Sequence, residues 1–147
     1  MTLFATLAVA AAAATATPLP AHSLSVPHSS GTAKAEYSGA IGIQHKQVGA
    51  VAPAGRPSTL RCVWTAKMEV NRTATTAAGA LASRSFVRDN VANGSRPGWC
   101  SASRGAIARD VAERLGDGSQ HLVKAAEADR GVLLTDLDRL ASGARAD

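Results

Sequence analysis

The chain reads as a small α+β domain: an N-terminal antiparallel sheet of two or three strands, packed by two C-terminal helices and stapled by one disulfide. Three observations point there. Residues 60–71 alternate, Val63 apart, between apolar and polar side chains; the chain after Cys100 switches to helical apolar spacing; and the only two cysteines, Cys62 and Cys100, fall in the alternating run and at the switch.

The 147 residues open with an Ala-rich apolar run, Leu3 to Ala16, that ends in Ala14-Thr15-Ala16, and no Asp, Glu, Lys or Arg precedes Lys34. An apolar stretch followed by small residues is what a secretory signal requires, so residues 1–16 read as an export signal, with cleavage after Ser23 as the alternative to Ala16. The missing Lys or Arg before the run departs from the usual pattern. The run is too short and too rich in Ala to match the about 20 strongly apolar residues that span a bilayer, and no later stretch is a transmembrane candidate. Residues 17–34 hold Pro18, Pro20 and Pro27 among Ser, Thr, Ala and His without periodicity and read as a linker. A single α+β domain is expected over 35–147.

Within that domain, Ala35 to Val51 alternates, with Tyr37, Ile41, Ile43 and His45 on one side and Glu36, Ser38, Gln44 and Lys46 on the other. Pro53, Gly55 and Pro57 mark a turn region. The second strand is clearer: Cys62, Trp64, Ala66, Met68 and Val70 share one face, opposite Arg61, Thr65, Lys67, Glu69 and Asn71. Such patterning describes a sheet buried on one side only, and the two runs most simply form a hairpin. Residues 73–79 read as a turn. Leu81 to Asp89 fits a third strand, although Leu81, Ser85 and Arg88 also fit a helix face. Asn90 to Trp99, with Asn93-Gly94 and Pro97-Gly98, reads as a loop.

After Cys100, Ser101 or Ser103 is positioned to cap a helix carrying Ile107, Val111 and Leu115 at four-residue spacing. Gly116-Asp117-Gly118 ends it. A second helix from near Ser119 carries Leu122, Ala126, Leu133, Leu137 and Leu140 on one face, with a bend at Gly131 or a restart at Thr135.

In an oxidising compartment two cysteines default to a disulfide, here Cys62 to Cys100, with no C-x-x-C motif to suggest redox work. His22 and His28 fall in the linker, and His45 and His121 lack any zinc-type spacing, so no metal site and no cofactor are expected. Ser101 to Arg104 lacks a nucleophile elbow, and helix capping accounts for its serines. Asp136 and Asp138, like Asp110 and Glu113, look like solvated helix charges beside arginines.

Charge is uneven: residues 34–55 hold two bases and one acid, 56–114 hold ten and four, and 115–147 hold four and six, for a net charge of +5. Arg61, Lys67 and Arg84 are the candidate basic patch on the outer sheet face. These features predict a periplasmic or secreted, non-enzymatic binding domain. Its partner would be an anionic envelope component or another protein, with no nucleic acid involved. The alternatives are a small hydrolase or redox accessory centred on Cys100 to Arg104, or a toxin-like or inhibitory secreted protein.

Overall fold

The structure, a computed structural model, describes residues 16–145. The expected export signal therefore lies outside the described residues, apart from Ala16. The elements are β1 (Thr17–Pro18), β2 (His22–Val26), β3 (Ala33–Val48), β4 (Arg61–Thr75), β5 (Leu81–Pro97), α1 (Cys100–Leu115) and α2 (Ser119–Arg145). All pairings are antiparallel, with β3, β4 and β5 adjacent in sequence order and β1 and β2 both pairing with the other edge of β3.

The α+β class stands, but the expected two or three strands must be corrected to five. Two of the additional strands come from residues 17–34. Their prolines argued for a linker, yet a missing N–H is tolerated at a sheet edge, and Pro18 sits there opposite Ala40. In β2, Leu24 and Val26 turn toward the core side while Ser23 and Ser25 turn away, a short alternation that the flanking prolines mask.

β5 also runs on through 90–97, where turn dipeptides suggested a loop. Each of those residues has another physical use. Asn90, at φ 55°, sits in a bulge where residues 89–91 oppose Lys67 alone. The two extra residues are an even number, so Ala92, Gly94 and Arg96 stay on the same face as Phe86. Gly94 lies opposite Trp64, and a Cβ there would come within 2.7 Å of the indole. The glycine makes room for the largest core side chain and turns nothing.

Both helices cover one face. Ile107 and Val111 of α1 and Leu122, Ala126, Leu133 and Leu137 of α2 pack on Tyr37, Trp64, Met68 and Val70 of the sheet. The spacing anticipated these stripes. α2 does not restart at Thr135 but continues unbroken through Gly131, whose carbonyl accepts the Thr135 hydroxyl at 3.0 Å. It begins at Ser119, just after Asp117, whose carboxylate accepts both the Ser119 N–H at 3.0 Å and its hydroxyl at 2.7 Å. On the opposite sheet face Ser38, Gln44, Asn71 and Thr73 remain exposed.

The disulfide joins Cys62 at the start of β4 to Cys100 at the start of α1, with Cα atoms 4.8 Å apart. Ser101 and Ser103 do not cap α1: its cap is Trp99, which makes no side-chain capping bond. The Cys100 N–H is met from the sheet instead, by Gln47 Oε1 at 2.7 Å.

Candidate functional site

Between Glu36 and Glu69, and again between Asp89 and Asp110, the chain contains no acidic residue. Strand register brings these two stretches together, because Val48, Arg61 and Pro97 lie side by side at one end of the sheet. The disulfide adds the first turn of α1 to the same end. One side chain organises the junction: the Gln47 amide donates to the carbonyls of Arg61 (2.9 Å) and Gly98 (3.1 Å), while its oxygen receives Cys100.

This end carries Lys46, Arg56, Arg61 and Arg104. It also presents two exposed apolar side chains, Val51 at 62% and Trp99 at 54% accessibility. Backbone bonds tie their segments to the same end: the Thr59 N–H donates to Ala50, and the carbonyl of the next residue, Leu60, accepts the N–H of Gly98 at 2.9 Å. His45 adds no charge here at neutral pH, since burial and then the nearby Arg104 cation push its imidazole below the ordinary range.

Of the three residues expected to form one basic patch, only Arg61 lies at this end, donating to Ser95 Oγ at 2.7 Å. Lys67 is on the same face but further along β4, paired with Asp89 at 3.2 Å. Arg84 is on the helix-covered face, stacked 4.8 Å over the Phe86 ring and bonded to Asp129. The three therefore do not gather; at this end Lys46 shares the outer sheet face with Arg61, whereas Arg56 lies in the connection between β3 and β4 and Arg104 on α1.

Arg84 belongs to a buried charge network that links α2 to the sheet. Asp129, fully buried, accepts hydrogen bonds from Tyr37 Oη (3.0 Å), Arg72 Nη1 (2.8 Å) and Arg84. Arg72, also fully buried, places its other terminal nitrogen on Asp136. Burial works against the Arg72 charge, but its bonds to Asp136 and Asp129 hold the guanidinium above its usual range. Tyr37 is pushed up to about 12, by burial first and then by its bond to Asp129. Two guanidiniums and two carboxylates balance, as a buried network requires.

Arg96 makes a bidentate pair with Asp110, both bonds 2.7 Å, and fastens β5 to α1. At the other end of the sheet His28, placed in the linker by sequence, ties the β2–β3 turn to α2. Its Nδ1 accepts the Ser30 N–H at 3.2 Å and lies 2.8 Å from the Ser30 hydroxyl, which leaves Nε2–H to donate to Asp138 at 2.8 Å. Among the described residues no three His, Cys, Asp or Glu side chains gather as a metal site, and no described helix is long and apolar enough to cross a membrane.

Comparison of the chain with protein-family models, with curated proteins and with solved structures finds no match.

Proposed function

We propose that the protein is an exported, non-enzymatic binding domain that docks its basic end on the anionic headgroups of an envelope phospholipid bilayer. The observation that carries this reading is the coincidence, at one end of the sheet, of four cations that make no ion pair among the described residues, the nearby Asp110 being committed to Arg96, and of an exposed tryptophan and an exposed valine. Basic side chains near an anionic bilayer contribute about 1 kcal/mol each, so four supply about 4 kcal/mol, close to a thousandfold. Tryptophan favours the headgroup level, where its ring is half in apolar surroundings. The disulfide supports an oxidising compartment, in which an anionic lipid surface is a more available partner than nucleic acid.

Co-sedimentation with vesicles tests the reading. Binding should require anionic lipid, weaken steeply from low to physiological salt, and fall at least tenfold in the double variant Lys46→Glu with Arg61→Glu. Those two side chains lie on the exposed sheet face, so the fold should survive. Binding that ignores salt and both changes would overturn the proposal, as would retention on acidic glycan without retention on lipid.

A further inference from the structure

At the other end of the sheet, where Tyr37 pairs with His22 on one side and Arg72 on the other, α2 crosses β2 and β3 and leaves a cavity of 260 Å³. It is separate from the basic end. Tyr37 lies eleven residues before Val48 along β3, roughly 36 Å at the ordinary strand rise.

Apart from the His22 imidazole of β2, the walls are apolar: Leu24 of β2 and Val123, Ala126 and Leu133 of α2. Tyr37 also lines the cavity, but its hydroxyl is committed to Asp129, so its contribution there is ring carbon. The charged groups are Glu127 and Arg130, which sit one helical turn apart on α2 and line the same cavity. Such neighbours face the same way on a helix. Neither has an ion-pair partner within 4.0 Å among the described residues, and neither bonds to the other.

The buried network beside this cavity closes its own charges internally. Glu127 and Arg130 stand outside that closure, one anion and one cation beside an apolar hollow. A ligand satisfying all three features needs a carboxylate, an ammonium and an apolar body. Drug-sized ligands occupy about 300–1,000 Å³, so this smaller space suits about ten non-hydrogen atoms. We infer that the cavity is a binding site for a free apolar α-amino acid of the size of leucine or phenylalanine. The carboxylate is received by Arg130, the ammonium by Glu127, and the side chain lies among Leu24, Val123, Ala126 and Leu133. A planar guanidinium can hold a carboxylate by two parallel bonds, which fixes the ligand's orientation.

Calorimetric titration of the full chain with L-leucine and L-phenylalanine tests this. At least one should bind saturably and raise the Tm. N-acetyl-leucine, which lacks the ammonium, and leucine amide, which lacks the carboxylate, should each bind at least tenfold more weakly. Arg130→Ala and Glu127→Ala should reproduce those losses with the free amino acid. The blocked analogues need no variant, so the inference remains falsifiable even if a substitution disturbs folding. Absence of saturable binding by either amino acid would overturn it. Equal binding of the blocked analogues would overturn it too, since the site would then read apolar bulk alone.

Discussion

Asp129→Leu is the substitution with the largest expected cost. The replacement keeps the branched shape and the number of side-chain heavy atoms, though its methyls are bulkier than the oxygens, and it removes the carboxylate that Arg72, Arg84 and Tyr37 share. Arg84 is 37% exposed and can turn to water, whereas the Arg72 side chain is 0% exposed and would keep only Asp136. Removing one partner of a buried pair costs about 3–5 kcal/mol because the other charge is left uncompensated. Against a typical total of about 5–15 kcal/mol, this is a large share of the domain's stability. The double variant Arg72→Leu with Asp129→Leu should recover most of the loss, because the charges that remain, Arg84 and Asp136, both reach solvent. Urea unfolding followed by circular dichroism measures both, with an unchanged slope expected. A single-variant loss below about 1 kcal/mol, or a double variant no more stable than the single, would refute this account of the network.

Three further outcomes are expected. Cys62→Ser with Cys100→Ser opens a loop of 38 residues and should lower stability by roughly 3–4 kcal/mol in denaturant unfolding; a loss under about 1 kcal/mol would mean that Gln47 alone holds the junction. Gly94→Val should cost about 1–3 kcal/mol by driving Trp64 out of its seat, read as a red shift and loss of protection in tryptophan emission; unchanged emission would contradict the packing described. Tyr37 ionises at about 12 in the fold against 10.0 for the free side chain, so the folded state holds the proton more tightly. The stabilisation is complete below pH 10 and disappears between pH 10 and 12. The two-unit difference corresponds to about 3 kcal/mol, and Tyr37→Phe should abolish this alkaline loss.

What sequence patterning reached, and where it stopped, follows from the physics of particular residues. β4 was legible because its outer face is wet and its inner face dry, which enforces an alternation that only Val63 interrupts between Leu60 and Asn71. The staple was legible because two cysteines without a C-x-x-C motif leave one pairing to form. β2 was hidden by prolines that an edge strand tolerates. The far half of β5 was hidden by Gly94, whose reason is Trp64 and not a turn. The placement of Arg84 with Arg61 and Lys67 failed on strand face, since Arg84 pairs directly with Arg72, which continues the inward series after Val70. A signal for the buried network was present: Arg72 holds an inward position, and Asp129 falls on the apolar stripe of α2 between Ala126 and Leu133. A charge at a core position on each of two facing elements predicts a pair. The basic end was harder to see, because it is assembled from acid-free stretches that only strand register brings together.

The position of Trp99 at a membrane surface is the most direct test of the docking proposal. Tryptophan emission should be recorded as anionic vesicles are added, with Trp99→Phe as the control because Trp64 is already buried. The account predicts a blue shift and protection from aqueous quencher on binding, both absent in Trp99→Phe and both reversed by salt. Vesicle binding that leaves Trp99 fully open to quencher would contradict it.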